Sequence, residues 1–322
     1  MMRSPNSLAV VCRSPAGSLV VKEQPWRSIW ERLRFLRWPF LRGTVVLGES
    51  LVNGFSALTF SAQLQMKAEA EKDAAEGKGP KDGPPEAPPS MAGMIFVSVL
   101  FAIGLFVAAP HLLTALLGFR SDTLSFHLVD GVIKVAIFVA YLAGISLMDD
   151  IKRVFMYHGA EHQAIFAYEQ GDLSLEGARR QSRFHPRCGT SFLVIVILIS
   201  ILLFAVTLRF PIFETRILDN LIKVLIKIPL MLPVAGLAYE AIKLSGKYPR
   251  HPLVRVLSAP GLWIQRITTR KPTDDQLEVA VIAIEKTLWR EQQRAKDGAD
   301  ATPPTGAVEE FETFEAARPV LS

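Results

Sequence analysis

Tyr157-His158-Gly159-Ala160-Glu161-His162 and His185-Pro186-Arg187-Cys188-Gly189 gather the four side chains best suited to bind a transition metal: His158, His162, His185 and Cys188. Ile151 to Glu169 contains no proline and is followed by Gly171, so it reads as a helix. On that helix His158 and His162 lie one turn apart on one face, the usual geometry for two imidazoles on one ion. Glu161 stands beside them. His-x-x-Glu-His is the inverted form of the zinc-peptidase signature, in which the histidines hold metal and the glutamate polarises the attacking water. Glu169 shares the histidine face, but at 1.5 Å rise per residue it lies roughly 10 Å from His162 along the axis, too far for the same ion. His185 and Cys188 can come back to it, because Gly171 and Gly177 make residues 171–184 a flexible return. Imidazole and thiolate donors suit a divalent metal, zinc first. Four protein ligands would make a closed structural site. Three would leave a place for water and favour catalysis, with Glu161 as general base. The plain alternative is a set of solvated or hydrogen-bonded histidines beside a cysteine acting as a small hydrophobe.

The elements that must position these residues are membrane-like. Half of the 322 residues are hydrophobic, and they fall in a few blocks. Four blocks, about 92–117, 127–148, 190–208 and 221–242, are each long enough to cross roughly 30 Å of hydrocarbon. The net charge of +5 is concentrated beside them. Lys152, Arg153, Arg179, Arg180, Arg183 and Arg187 lie in 149–188, and Lys243, Lys247, Arg250 and Arg255 follow the last block, against only Arg120, Arg209 and Arg216 in the two short loops. That bias predicts a multi-pass protein of the inner (cytoplasmic) membrane with both termini and the central loop in the cytoplasm. No compact basic domain is present, so nucleic acid is not an expected partner. The lipid bilayer is. Cys12 and Cys188 are the only cysteines and imply no disulfide framework, and no apolar stretch of signal-peptide type follows Arg3.

Taken in order, residues 1–25 predict a β-hairpin, with β-prone runs on either side of the turn Ser14-Pro15-Ala16-Gly17. Residues 26–63 predict interfacial or re-entrant helices, since Arg27, Arg32, Arg34 and Arg37 interleave with aromatic and aliphatic residues. Residues 64–90 read as a disordered linker. A membrane domain covers 91–242 and includes the loop 149–188. In it Asp130 and Lys134 lie in the second span, and Lys223 and Lys227 open the fourth. Those near span ends are expected to snorkel, while Lys134, deeper, pairs or lines a polar cavity. Cytoplasmic helices are expected in 243–293, interrupted at Pro260-Gly261 and restarted by the capping box Thr273-Asp274-Asp275-Gln276. A disordered tail is expected over 294–322.

The two motif regions, together with Ala167-Tyr168-Glu169-Gln170-Gly171, Pro39-Phe40-Leu41-Arg42-Gly43, Leu257-Ser258-Ala259-Pro260-Gly261-Leu262-Trp263 and Thr268-Thr269-Arg270-Lys271-Pro272, resemble the YqhQ-like family. This is a bacterial membrane family built on domain of unknown function 1385, whose members are described as predicted metal-dependent enzymes. The resemblance spans nearly the whole chain apart from the linker and tail. It departs at the N-terminus: family members usually carry a Gly-Gly and Glu-Gly-Val stretch ahead of Met-Met-Arg, where this chain begins at Met1-Met2-Arg3. An upstream start or the loss of a glycine segment would account for that.

The sequence therefore predicts a mainly α fold: a helical integral membrane protein with about four transmembrane helices, a small N-terminal β-hairpin and a cytoplasmic α layer. The function expected is metal binding at His158, His162, His185 and Cys188, with metal-assisted hydrolysis of a peptide or lipid by way of Glu161. The rival is a non-enzymatic scaffold, channel or assembly factor with a structural histidine cluster. Substrate and homo-oligomeric state are left open.

Overall fold

The computed structural model describes residues 1–39, 41–76, 91–208, 210–248, 251–297 and 307–321. The fold is mainly helical, with one small antiparallel sheet. Among the described residues, five helices are long and apolar enough to cross a membrane: Leu41–Ala75, Gly93–Leu116, Leu124–Ile145, Gly189–Thr207 and Arg216–Lys247. We label them by their elements as α1 (Leu41–Ala75), α2 and α3 (Met91–Ile103 and Ala109–Leu116, joined by a π turn), α4 (Leu124–Ile145), α7 (Gly189–Thr207) and α8 (Arg216–Lys247). Between and after them come α5 (Asp149–Glu169), α6 (Leu175–Arg179), α9 (Pro252–Thr268), α10 (Asp274–Asp297) and α11 (Phe314–Leu321).

The long helices form a bundle whose outside is apolar. Phe96, Val97, Val132, Leu202 and Val206 are exposed, while Asp130, Lys134, Lys223 and Lys227 are buried. Lysines 223 and 227 therefore do not snorkel. They are fully enclosed, since neighbouring helices cover them before their stems can reach an end. Helices cross closely where side chains are small: a Cβ on Gly261 of α9 would lie 2.8 Å from Ser191 Cα of α7. Pro260 does not interrupt α9, which runs through it to Thr268.

The sheet has the order β1-β2-β3-β4, from Met2–Arg3, Ser7–Arg13, Leu19–Pro25 and Ala307–Phe311. The expected hairpin is its centre, with Val11 opposite Val21. Alternation sends Val11, Leu19 and Val21 to one face, against α5, α10 and α11, in a core with Ala160, Ala164, Val281 and Phe314. Val10, Cys12 and Val20 point to the other face, against Phe60 and Leu64 of α1. Glu23 is buried between these layers and is matched by Arg290 (Nη2 to Oε2, 2.7 Å), by Ser7 (3.2 Å) and by Lys286 (3.5 Å).

Three boundaries differ from expectation. The stretch 26–38 forms two short 3-10 turns, not an α-helix, with Trp38 and Phe35 exposed. Glu49 of α1 holds the first turn by accepting hydrogen bonds from Ser28 Oγ (2.6 Å) and the Ile29 amide (2.8 Å). Next, α1 continues to Ala75, so residues 64–75 are helical and not part of a linker; the remaining linker residues 77–90 lie outside the described ones. Docking of Phe60 and Leu64 on the sheet carries the helix into a Gln-, Lys-, Glu- and Ala-rich segment of high helix propensity. Finally, residues 307–321 of the expected disordered tail are ordered. β4 pairs with β3 from Leu19↔Phe311 to Glu23↔Ala307, and Phe314 and Ala317 of α11 are buried on α10. Lys286, itself buried, donates to Glu309 at 2.8 Å, which anchors the strand electrostatically.

Phe314→Ala is expected to cost about 3 kcal/mol of stability through the cavity it leaves. Thermal unfolding of the detergent-purified protein measures this, and an unchanged midpoint would show that the C-terminal segment adds nothing to the core.

Candidate metal centre

Helix α5 supplies His158, Glu161 and His162. It can do so because the segment after α9 passes directly across it at Gly159. The Arg270 amide donates to Phe155 O at 2.9 Å. A Cβ at position 159 would overlap the Arg270 carbonyl oxygen, so a glycine is required inside the His-Gly-Ala-Glu-His motif. The same crossing brings the Thr268 carbonyl to His158 Nδ1 (2.8 Å), while the Arg183 carbonyl meets His162 Nδ1 (2.6 Å). A carbonyl can only accept, so both Nδ1 atoms carry a proton and Nε2 is the nitrogen each ring has left to offer a ligand.

Cys188 closes the group. It is the N-cap of α7 and accepts from the Thr190 amide at 3.4 Å. Its Sγ lies 3.0 Å from His158 Nε2. The ligand atoms of His158, His162 and Cys188 all fall within 4.8 Å of one another. Burial pushes the Cys188 thiol up, but hydrogen bonds and charge from His158 and then His162 outweigh it and bring its pKa down to about 5. Burial pulls His158 down, yet its contacts with Cys188 and the Thr268 carbonyl overcome this and leave it raised. Without an ion, Cys188 is thus a thiolate above about pH 5, with His158 Nε2 as its hydrogen-bond partner.

His185, expected among the ligands, is not in this group. Its ring centre lies 5.6 Å from that of His162 and 4.6 Å from Phe166. Its Nδ1 accepts from the Arg187 amide at 3.2 Å, and its Nε2 faces Glu169 at 3.8 Å. Burial, then the neighbouring His162, lowers its pKa to about 4, so it is neutral at pH 7. Glu169 is held in turn by an ion pair with Arg187. Glu161 lines a cavity of about 750 Å³ whose wall also includes His158, His162, Cys188 and, from the N-terminus, Met2 to Pro5.

Gln265 was not singled out from sequence. Fully buried on α9, it clamps the backbone of His185 by accepting from its amide (2.8 Å) and donating to its carbonyl (2.8 Å), and it also donates to Ser191 Oγ (3.0 Å). A lone glutamine in Gly-Leu-Trp-Ile-Gln was the only signal for it.

Residues 38–290 match the family model "Protein of unknown function (DUF1385)". The chain belongs to this family. It is 31% identical over 253 residues, covering 78% of this chain and 77% of the other, to "Uncharacterized protein YqhQ" of Bacillus subtilis (strain 168). No solved structure matches the chain. The family range contains α5, the Cys188 turn and the Arg270 crossing, whereas β1 to β3 and the C-terminal strand and helix lie outside it.

Chemically, two imidazoles with fixed tautomers facing a thiolate form a soft N₂S donor set. Backbone carbonyls on the outer nitrogens are the usual way a ligating histidine is oriented and made more basic. The residues therefore fit a divalent ion of zinc type, and with three donors they leave a position open.

In metal-free protein on a Cys12→Ser background, alkylation of Cys188 by iodoacetamide is expected to titrate near pH 5, with reactivity present above that pH and lost below it. His158→Ala should move the midpoint up towards that of an ordinary thiol. Gly159→Ala is expected to cost about 1–3 kcal/mol, read by thermal unfolding, because the Arg270 carbonyl and α5 must separate.

Proposed function

We propose that the protein is a multi-pass membrane protein with a divalent-metal centre, zinc in the first place, built by His158, His162 and Cys188 at the cytoplasmic face, and that it carries out metal-assisted hydrolysis at the membrane surface. The observation that carries the metal reading is the pair of Nδ1–carbonyl anchors, which leaves two Nε2 atoms facing a depressed-pKa thiol. An apolar exterior around buried charges supports the membrane reading, and the Lys and Arg excess at the centre's end of the bundle supports its cytoplasmic side.

A bound ion would supply Lewis acidity and lower the pKa of water. Glu161, on the cavity wall, is the residue we assign to taking and returning the proton of that water. His185 and Glu169 hold the far wall, with His185 neutral behind His162. A second reading, a structural staple, draws on the fact that the same three side chains tie α5 to α7 and, through Thr268, to α9.

Elemental mass spectrometry of detergent-purified protein is expected to find near-stoichiometric zinc that is lost in His158→Ala/His162→Ala. Metal absent from the wild type after zinc was supplied would sink the proposal. Glu161→Gln should keep metal and fold but abolish hydrolysis in a screen of peptide and lipid substrates. If the cluster is a staple, Glu161→Gln is silent and His158→Ala lowers the unfolding temperature.

A further inference from the structure

Far along the bundle from the histidine–cysteine centre lies a second polar cluster, made of residues that the proposed chemistry does not use. Two carboxylates and three lysines are buried together: Asp130 and Lys134 of α4, and Asp219, Lys223 and Lys227 of α8. Asp219 and Lys223 are matched one to one. Lys223 Nζ lies 2.9 Å from Asp219 Oδ2 and 3.1 Å from Ser121 Oγ, which itself donates to Asp219 at 2.7 Å. Asp219 Oδ1 accepts the Ile212 amide at 2.7 Å. That half is electrically closed.

The other half is not. Lys134 and Lys227 both approach the same oxygen, Asp130 Oδ2, at 3.5 and 3.3 Å. Neither forms an ion pair with any other carboxylate among the described residues. Both ammonium groups also sit over one ring, Phe204, at 5.2 and 5.3 Å from its centre. The ring eases desolvation but carries no net charge. Two cations therefore share one anion where water is excluded, an arrangement of high cost.

Lys227 has a further acceptor at the same place, which Lys134 lacks among the described residues. Lys227 Nζ lies 3.0 Å from His111 Nδ1. An ammonium can only donate, so His111 accepts at Nδ1 and carries its proton on Nε2. That Nε2, fully buried, is left to the Asn220 side chain, and the ring of the buried His127 has the Leu208 backbone near it, neither contact closing to a well-formed hydrogen bond.

We propose that a small monovalent inorganic anion of halide type binds in the bundle beside Lys134 and Lys227, as the counter-charge this cluster lacks. One surplus positive charge calls for one negative charge. The unmatched ammonium protons of Lys134 call for an acceptor with no hydrogens of its own. The tight enclosure by Phe204 and the neighbouring helices selects a small one. Asp219, Lys223 and Ser121, nearer the end of the bundle where α8 begins, form the polar approach. This site stands on burial and charge alone and does not depend on the metal centre.

The test uses full-length protein in detergent, unfolded thermally at fixed pH and ionic strength in sodium chloride or sodium gluconate, with tryptophan fluorescence as the signal. Chloride is expected to raise the midpoint by a few degrees with saturation, as a ligand of the folded state does, and gluconate is not. Lys134→Met leaves Asp130 and Lys227 one to one and should fold without the chloride response. Asp130→Asn leaves both lysines unmatched and should depend on chloride more strongly. Identical wild-type midpoints in both salts, or a full chloride response in Lys134→Met, would overturn the proposal. Equilibrium dialysis of wild type with radiolabelled chloride decides the question without any variant: saturable, near-stoichiometric binding supports the site, and its absence removes it.

Discussion

At Gly159 the backbone after α9 lies directly on α5, with no side chain between them. Much else follows from that contact. It sets the Thr268 carbonyl against His158, and the Arg270 amide closes onto Phe155 O. It also places α10, which begins at Asp274, along the other side of α5, where Leu277, Val281 and Ile284 share a core with Ala160 and Ala164. The alanines of α5 are part of the same constraint. Larger residues at 160, 164 or 167 would hold α10 and the sheet away from the helix, and the N-terminal wall of the cavity would move with them. A polar centre is thus positioned mainly by small residues and by backbone.

The centre and the buried cluster solve the same problem in different ways. Polar groups taken from water need partners, and the cost of leaving one without is larger than the gain from an ordinary bond. Around His158 and His162 each outer nitrogen has a carbonyl, and the thiolate has the His158 ring and a helix N-terminus. What remains open there is an acceptor set, which attracts a cation. Around Lys134 and Lys227 the acceptors run out first and the remainder is cationic. Between the two, Phe138, Leu142, Val194 and Ile264 form an apolar cluster.

Much of this was legible in the residues. The i, i+4 spacing of His158 and His162 places both imidazoles on one face, and the return to Cys188 follows from the short link after Gly171. The hairpin is explicit in two β-prone runs about a Pro-Ala-Gly turn. His185 was harder. Spacing allows it to reach the histidines, but whether its ring faces them depends on Gln265, eighty positions later, which grips its backbone from both sides. Likewise the continuation of α1 beyond Leu64 depends on a sheet whose last strand comes from the other end of the chain. Composition alone reads Gln-, Lys- and Glu-rich sequence as a linker, and Ala- and Glu-rich sequence as a tail. Phe311 and Phe314 were the local hint that the latter is anchored.

The lysines show why span-by-span reading falls short. Taken one helix at a time, Lys223 and Lys227 stand close enough to the start of α8 for snorkelling to be the economical reading, and Asp130 with Lys134 is an ordinary i, i+4 pair. Each helix then looks self-sufficient. Only when α4, α7 and α8 are packed does Lys227 turn to Asp130 and become a competitor of Lys134 for one oxygen. The surplus charge is a property of the assembly and of no single segment. A helix pair that needed only stability would do better with Met or Leu in place of one lysine, since apolar packing there carries no desolvation cost. Retaining three lysines against two carboxylates in so enclosed a place is the feature that the proposed negative partner accounts for.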